Sequence, residues 1–335
     1  MSLRPLGKFL VGSDNPRLTY AIYRPRMLRS TLLAAARSTA VRGLVEGTPL
    51  TRTVVDRFVA GNDLDAALAA IRTLVPDRLV TVDHLGEDTV DRAQADRTVD
   101  AYLALLARIG DEGLADRVEV SVKLSALGQS LSVDAEKITL DAARRICETA
   151  ATVGTTVTVD MEDHTTTDAT LGTVRDLRVD FPWVGAVVQS QLRRTEADCR
   201  ELAGPGSRVR LCKGAYDEPE TVAFGSRDGV DTSFVRCLEV LMAGDGLPMV
   251  ATHDPVLVDA ARRLGRGRAT SAGHAGYELQ MLYGIRPDAQ VALAAEGEAV
   301  RVYLPYGTEW FGYFMRRLAE RPANVVFLVG NLVRR

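Results

Sequence analysis

The stretch Val118-Glu119-Val120-Ser121-Val122-Lys123 is a short, mostly apolar run that ends on a charged residue. Five further runs of this kind also end on polar, charged or aromatic residues, and helix-like segments separate them; they lie at 156–160, 184–189, 208–213, 248–253 and 300–303. In a (β/α)8 barrel the carboxyl ends of all strands open on one face, and the chemistry is built there. We therefore expect side chains between Lys123 and Tyr303 to meet in one pocket.

From residue 78 onward the predicted strands and helices alternate regularly. The strands are predicted at 79–84, 117–123, 155–161, 184–190, 207–212, 247–252, 268–272 and 298–304. The helices are predicted at 89–109, 134–153, 168–178, 193–203, 231–243, 254–264, 275–284 and 308–320. The strands are too short and too apolar for a sheet with one solvated face. We predict an α/β fold: a TIM-type (β/α)8 barrel at 78–321, an N-terminal helical segment at 1–77 and a C-terminal helix at 322–335.

Composition limits the classes of function that the chain can have. Its 335 residues, 46% of them hydrophobic, suit one large barrel with an additional segment. No apolar run approaches the roughly 18 residues of a spanning helix, and the first residues lack the apolar core of a signal peptide. The net charge of −3 gives no global support for nucleic-acid binding. The four cysteines have no metal or redox spacing, which favours a cytoplasmic protein.

A second group of charges stands near the C-terminus. Tyr313, Arg316 and Arg317 are three and four residues apart, so they share one face of a predicted helix. Two guanidinium groups beside a tyrosine can bind a small carboxylate through paired hydrogen bonds. The alternative is an exposed helix on which Arg316 pairs with Glu320, and the spacing alone does not decide between the two.

Three predicted strand ends carry residues suited to binding and catalysis. Lys123 and Asp160 can either close the barrel as a simple ion pair or position a substrate. Arg210 and Lys213 bracket the end of another strand, and the small residues Gly214 and Ala215 follow. A backbone without bulky side chains allows a ligand to approach closely. This arrangement suits a phosphate group or an electron-rich ring.

The sequence argues against a metal site and against a Rossmann-type nucleotide site. The residue types of a barrel metal site are present at His84, Asp160, Glu162, Asp163, His164, His253 and Asp254. The ordered spacing of known metal motifs is missing, so we expect no metal. No Gly-x-Gly-x-x-Gly motif follows a predicted strand, so no Rossmann dinucleotide site is implied.

Taken in order, several motifs resemble those of the proline dehydrogenase family, over roughly residues 78–323. They are Ser121–Ser125, Asp160–Asp163, Val188-Gln189 with Leu192–Thr195, Val209–Tyr216, Ala251–Asp254, Tyr277–Gly284 and Tyr303–Arg317. The resemblance implies an FAD-dependent (β/α)8 enzyme that oxidises L-proline to Δ1-pyrroline-5-carboxylate and passes electrons to a membrane quinone. The length suits the single-activity form, which lacks an aldehyde dehydrogenase domain.

The resemblance also implies a substrate site. Lys123, Arg316 and Arg317 would hold the proline carboxylate, and Asp160 would organise this group of charges and act with Arg210 in catalysis. The residues implied to line the proline ring are Tyr216, Leu282 and Tyr303. Glu87, after the first strand, would pair with Arg316 and so close the site as a gate.

The cofactor contacts follow from the same resemblance. The residues implied to bind FAD are Met161, Gln189, Arg210, Lys213, Gly214, Ala215, Thr252 and His253. Hydride transfer to a flavin needs donor and acceptor atoms about 3–3.5 Å apart, which a carboxylate clamp helps to impose. Positive charge near the substrate disfavours its ammonium form, and a cation near the flavin favours negative charge on the reduced ring.

Two other functions remain open from the residues alone. A lyase could use Lys123 or Lys213 as a Schiff-base amine, and a sensor could bind a carboxylate metabolite without turnover. The sequence is compatible with a homo-oligomer. A position on the inner face of the membrane is expected only from the resemblance and its quinone partner.

Overall fold

Eight parallel strands form a closed barrel in sequence order, β1 to β8. The computed structural model describes residues 55–268 and 276–320, with side chains as far as Arg317. The strands are β1 Leu79–His84, β2 Val118–Val122, β3 Val157–Val159, β4 Gly185–Gln189, β5 Arg208–Cys212, β6 Leu247–Ala251, β7 Glu278–Leu282 and β8 Val300–Tyr306. The predicted (β/α)8 fold class is confirmed.

Helices alternate with the strands throughout the described chain. They are α1 Leu64–Leu74, α2 Arg92–Asp111, α3 Ala135–Val153, α4 Thr167–Arg178, α5 Thr195–Leu202, α6 Arg227–Ala243, α7 Pro255–Leu264, α8 Pro287–Ala295 and α9 Trp310–Glu320. Short 3-10 helices at Leu124–Leu127 and His164–Thr166 follow β2 and β3. Within the described ranges, no helix has both the length and the apolar character needed to cross a bilayer.

Strand β2 is polar on the face that lines the barrel and apolar on the face that meets the helices. In β2, Val118, Val120 and Val122 join a core cluster with Leu105 of α2 and Ile146 of α3. Successive side chains of a strand point to opposite faces, so the residues between these valines face the barrel interior. The apolar core therefore lies between sheet and helices, and the barrel interior is free to carry charge.

The prediction for the seventh unit is wrong. A helix was expected at 275–284, but Glu278–Leu282 forms β7, which pairs with β6 and β8, and the following helix is α8, Pro287–Ala295. Glu, Leu, Gln and Met all favour helices intrinsically, yet the closed barrel needs a strand here, and tertiary pairing overrides a weak local preference. The predicted strand at 268–272 falls almost entirely on 269–275, outside the described residues.

The chain divides into two compact units. Residues 55–310 belong to the barrel unit, and 311–320 belong to the other. Helix α1 lies in the predicted N-terminal helical segment, of which residues 1–54 are outside the described part, as is the predicted C-terminal helix at 322–335. The domain boundaries at 77 and 321 stay predictions.

Candidate active site

Asp160, the first residue after β3, is the centre of a polar group at the carboxyl ends of the strands. Its Oδ1 accepts hydrogen bonds from Ser121 Oγ and from Arg210 Nη1, each at 2.7 Å. Its Oδ2 accepts one from the hydroxyl of Tyr303 at 2.6 Å and lies 3.5 Å from Lys123 Nζ. Three strands, β2, β5 and β8, thus direct side chains to one carboxylate, which fixes its position.

Lys123 is held between two carboxylates. Its Nζ lies 2.5 Å from Asp83 Oδ2, in addition to its contact with Asp160, and 3.3 Å from the hydroxyl of Tyr303. Burial opposes the charge of this ammonium, but Asp83 and Asp160 outweigh burial, and the pKa of Lys123 is raised. We call Asp83, Lys123, Asp160, Arg210 and Tyr303 the upper polar cluster.

Arg210, in the middle of β5, is bound from three sides. Its Nη1 contacts Ser121 Oγ at 3.0 Å besides Asp160, and its Nε donates to Gln280 Oε1 at 2.6 Å. The guanidinium carbon also lies 5.3 Å from the ring centroid of Tyr303. A guanidinium that is buried and held in this way keeps its charge at one place in the barrel.

Beneath the upper polar cluster, nearer the amino ends of the strands, lies a second group of charges. Arg301 binds Glu278 through two hydrogen bonds of 2.8 and 2.9 Å, and Arg208 forms an ion pair with Glu119. Arg301 Nε lies 3.8 Å from Glu119 Oε1, which joins the two pairs. We call Glu119, Arg208, Glu278 and Arg301 the lower ion cluster.

The carboxylates of Asp160, Glu119 and Glu278 stay ionised although they are buried. Burial opposes the charge of Asp160, but Lys123 and Arg210 outweigh it and lower the pKa. The pKa values of Glu119 and Glu278 are lowered in the same way, because neighbouring arginines outweigh burial. Burial and the Asp160 charge raise the pKa of Tyr303 well above its ordinary value, so Tyr303 remains a hydrogen-bond donor.

Met161 and Gln189, two of the predicted cofactor residues, lie beside Asp160. Met161 is buried with Val187 and Leu171. Gln189 ends β4, and its Nε2 donates to the carbonyl oxygen of Glu162 at 2.7 Å. This bond ties the segment after β3 to the end of β4, so the two predicted residues belong to one edge of the barrel opening.

The segment after β5 carries three more of the predicted cofactor residues. Lys213 Nζ lies 2.5 Å from Asp231 Oδ1 and 3.1 Å from Asp254 Oδ2. Gly214 has φ of +107°, a backbone conformation that L side chains rarely adopt. Ala215 and Tyr216 follow, and both are half-buried. The segment is therefore anchored by its lysine, while its backbone is free of bulky side chains at Gly214.

Thr252 and His253 lie after β6, next to this segment in the order of the strands. Thr252 Oγ1 accepts from the amide of Asp254 at 3.1 Å, and Asp254 Oδ1 in turn caps α7 through Val256 N. His253 Nε2 accepts from the amide of Leu282 at 2.9 Å. An accepting Nε2 requires the other ring nitrogen to carry the proton, which fixes the tautomer. This bond also holds Leu282 at the end of β7.

The predicted clamp is only partly described. Lys123 and Tyr303 belong to the upper polar cluster, whereas Arg316 and Arg317 lie on α9, in the other compact unit. The Arg317 guanidinium lies 5.0 Å from the ring centroid of Tyr313, so these two side chains lie on the same face of α9. Glu87 is half-buried after β1. The joint clamp and the pairing of Glu87 with Arg316 stay predictions, and the Glu320 side chain lies outside the described residues.

Sequence reasoning missed several members of the two clusters. It did not predict Asp83, the carboxylate that binds Lys123. It also missed Ser121 and Gln280, which hold Asp160 and Arg210. The alternation of β2 contained the signal, because Glu119, Ser121 and Lys123 stand two residues apart and so face the same side. Nowhere in the described ranges do three His, Cys, Asp or Glu side chains form a group that could hold a metal ion.

The fold is similar to that of solved structures of larger proteins. Proline utilization A (PutA) from Bdellovibrio bacteriovorus, inactivated by N-propargylglycine, matches with a TM-score of 0.75 and 22% identity over 90% of this chain. A mutant of proline utilization A from Bradyrhizobium japonicum matches with a TM-score of 0.68 and 22% identity over 96% of this chain. The matches cover 38% and 35% of those chains, and at such identities the likeness shows the fold alone.

Closer relatives match along almost their whole length. The family described as "Proline dehydrogenase" matches residues 67–329. Proline dehydrogenase 1 of Bacillus subtilis (strain 168) is 36% identical over 286 residues, which are 85% of this chain and 92% of that protein. The proline dehydrogenase of Deinococcus radiodurans is 38% identical over 284 residues, 84% of this chain and 90% of that protein. The chain therefore belongs to the proline dehydrogenase family.

Proposed function

We propose that this chain oxidises L-proline to Δ1-pyrroline-5-carboxylate in proline catabolism, with FAD as hydride acceptor and a membrane quinone as the final electron acceptor. Family membership supports the proline dehydrogenase activity. The observation that carries the proposal is the upper polar cluster, in which Lys123, Arg210 and Tyr303 converge on Asp160 at the end of the barrel. Active sites of (β/α)8 enzymes lie at this end.

The charge balance of this cluster assigns different roles to the predicted cations. Asp83 and Asp160 compensate Lys123 and Arg210, so the four charges cancel. Binding of a substrate carboxylate therefore needs further positive charge, and Arg316 and Arg317 of α9 would supply it. In this proposal Lys123 orients the carboxylate as a donor, while the two arginines provide most of the attraction and disfavour the ammonium form of the substrate.

The residues of the barrel opening fit a flavin. Gly214 has a φ of +107° and lies against the Gln191 side chain, Arg210 supplies a buried cation, and Gln191 Nε2 is a buried donor without a hydrogen-bond partner in the described chain. Met161, Gln189, Lys213, Ala215, Thr252 and His253 would complete the binding residues. When bound, FAD supplies the two-electron acceptor that none of the side chains can provide.

The work of the protein is then positioning and electrostatics. Asp160 holds Arg210 and Lys123 in place through the contacts described above, and Tyr303 fixes Asp160 from the opposite strand. Tyr216, Tyr303 and Leu282 would line the proline ring and exclude water. The carbon that loses the hydride is not acidic, so the site needs alignment of reacting atoms and no carbon base.

The lyase alternative is not favoured by the structure. A Schiff-base lysine needs a lowered pKa, whereas Asp83 and Asp160 raise the pKa of Lys123. Lys213 is anchored by Asp231 and Asp254. The sensor alternative differs from the enzyme only in turnover, which the experiment below measures.

The test is a visible absorption spectrum of the purified full chain, reconstituted with FAD, before and after anaerobic addition of L-proline. We expect flavin bands that bleach with L-proline and recover when a soluble quinone analogue is added. Bands that do not respond to proline would overturn the substrate, and failure to take up FAD would overturn the cofactor. Bleaching without recovery would reject the quinone as acceptor.

Localisation is part of the same proposal. An enzyme that reduces a membrane quinone must meet the membrane surface, so we propose a cytoplasmic protein that binds peripherally to the inner face. Co-sedimentation with liposomes that contain a quinone, with and without L-proline, tests this. Absence from the liposome fraction in both conditions would reject peripheral binding.

A further inference from the structure

Gln191 connects two loops at the barrel opening. It lies two residues beyond Gln189, the last residue of β4, and is only 7% exposed. Its backbone N–H donates to Lys213 O at 2.9 Å, and its carbonyl accepts from the amide of Phe224 at 2.8 Å. The loop after β5 is therefore bound to Gln191 at two points, and the first of these is the start of the segment Lys213–Ala215.

The Gln191 side chain lies directly against Gly214. A Cβ at Gly214 would stand 2.2 Å from Gln191 Cδ and 2.5 Å from Nε2. Two features therefore require glycine at position 214. Its φ is +107°, and the Gln191 side chain fills the space that a Cβ would need. The carboxamide is placed beside the segment that we assign to the cofactor.

The Nε2 of Gln191 is buried and has no hydrogen-bond partner in the described chain. An amide nitrogen can only donate, and a buried donor without an acceptor is unfavourable. The neighbouring Gln189 satisfies its own Nε2 through Glu162 O. Of these two glutamines, Gln191 is the one whose Nε2 remains available to donate a hydrogen bond to a ligand beside Gly214.

We infer that Gln191 is a further cofactor-binding residue, whose Nε2 donates a hydrogen bond to an acceptor oxygen of the FAD held by Lys213–Ala215. This inference rests on the proposed function. The acceptor is a carbonyl of the flavin ring or an oxygen of the diphosphate. Both offer a lone pair to the same donor, and the choice between them is part of the test.

The test uses the full chain with Gln191→Met and Gln191→Glu. We expect Gln191→Met to weaken FAD binding about tenfold, the effect of one net hydrogen bond, measured by flavin fluorescence titration. Gln191→Glu replaces the donor by a charged acceptor, so it should weaken binding further. Without FAD, the thermal unfolding midpoint of Gln191→Met should equal or exceed that of the wild type, because the substitution removes an unpartnered buried donor.

Gln290→Met is the matched control. Gln290 is also buried, but its Nε2 donates to Leu282 O at 3.0 Å and to Ile285 O at 2.9 Å. Its substitution should lower the unfolding midpoint without FAD and leave the FAD dissociation constant unchanged. A fall of the midpoint in Gln191→Met like that in Gln290→Met would mark a structural role and overturn the inference.

The outcomes separate the inference from the function on which it rests. If the wild type binds no FAD, the proposed function fails. If the wild type binds FAD and Gln191→Met binds it equally well, only the inference fails. Titration with riboflavin locates the acceptor: an equal loss of riboflavin affinity assigns the bond to the ring, and a loss with FAD alone assigns it to the diphosphate.

Discussion

The lower ion cluster and the upper polar cluster use the same kinds of side chain in different surroundings. In the lower cluster each arginine binds a glutamate, and the side chains of Thr81 and Thr156 donate further hydrogen bonds to Glu119. In the upper cluster Tyr303 is half-buried, and Asp160 and Lys123 lie where the strands end. One alternating strand pattern thus serves stability at the amino end and chemistry at the carboxyl end of the barrel.

The largest effect is expected from breaking the lower ion cluster. Glu119→Gln keeps the shape of the side chain but removes the charge that pairs with Arg208 and leaves Arg301 with Glu278 alone. Loss of one partner of a buried ion pair costs about 3–5 kcal/mol, and we expect such a fall in the free energy of unfolding. Urea denaturation without FAD measures it.

The control for Glu119→Gln is Asp96→Asn, which breaks an exposed pair with Arg92 on α2. The free energy of unfolding should change by less than about 0.5 kcal/mol in the control. Equal changes in the two variants would show that the lower ion cluster is no more important than a surface pair.

Glu119→Gln should also change the dependence of the unfolding free energy on pH. The pKa of Glu119 is lowered in the folded protein, so its contribution is present above the unfolded pKa of about 4 and is lost as the pH falls through the folded value. Glu119→Gln should therefore lose less stability than the wild type between neutral and acid pH. Parallel pH profiles of the unfolding free energy would contradict this.

In the upper polar cluster the main effect should be on turnover. Asp160→Asn weakens the contacts that hold Arg210 and Lys123 in place, and we expect kcat with L-proline to fall about 10²-fold, as for other preorganised charges. Lys123 retains Asp83, so the fall in unfolding free energy should be smaller than for Glu119→Gln. Steady-state kinetics and urea denaturation test the two parts.

Asp198→Asn is the control for this comparison. Asp198 is buried too and pairs with Arg194 on α5. Asp198→Asn should lower the free energy of unfolding while kcat changes less than twofold, because Asp198 lies away from the upper polar cluster. A similar loss of kcat in both variants would mean that the activity follows general stability and not the position of Asp160.

A smaller effect is expected from Tyr303→Phe. This substitution keeps the ring and removes the hydroxyl that donates to Asp160 at 2.6 Å. One hydrogen bond to a charged group is worth about 1.5 kcal/mol, so kcat/KM for L-proline should fall about tenfold. Tyr277→Phe removes a similar bond, to Glu298 at 2.7 Å, and should leave kcat/KM unchanged. Equal losses in both variants would contradict a specific role of Tyr303.

The smallest change in stability is expected at Glu162, whose pKa is shifted in the opposite direction to that of Glu119. Burial raises the pKa of Glu162, so its contribution to stability is present below the unfolded pKa and is lost as the pH rises through the folded value. Gln can keep both contacts with Ser125. Glu162→Gln should therefore be as stable as the wild type at pH 7 or up to about 1 kcal/mol more stable. A loss like that expected for Glu119→Gln would reject this.

The sequence predicted the barrel because the strand signal was repeated and local. Seven of the eight strands lie within two residues of the structure's bounds or overlap them, from Leu79–His84 to Val300–Tyr306. The strand β7 was missed, since the residues of Glu278–Leu282 favour a helix when taken alone. Its true state depends on pairing with Leu247–Ala251 and Val300–Tyr306, which no local pattern contains.

The sequence itself determined that the chain belongs to the family. It also determined that Lys123 and Asp160 follow strand ends and that Arg210 lies within a strand, because these features depend on residue type and local order. Only the tertiary structure decided their partners. Lys123 meets Tyr303 from 180 positions away, and Arg210 meets Gln280 from 70 positions away. Closure of the barrel brings strands together across its interior, and the charge balance and pKa shifts depend on those contacts. A pattern along the chain carries no such distances.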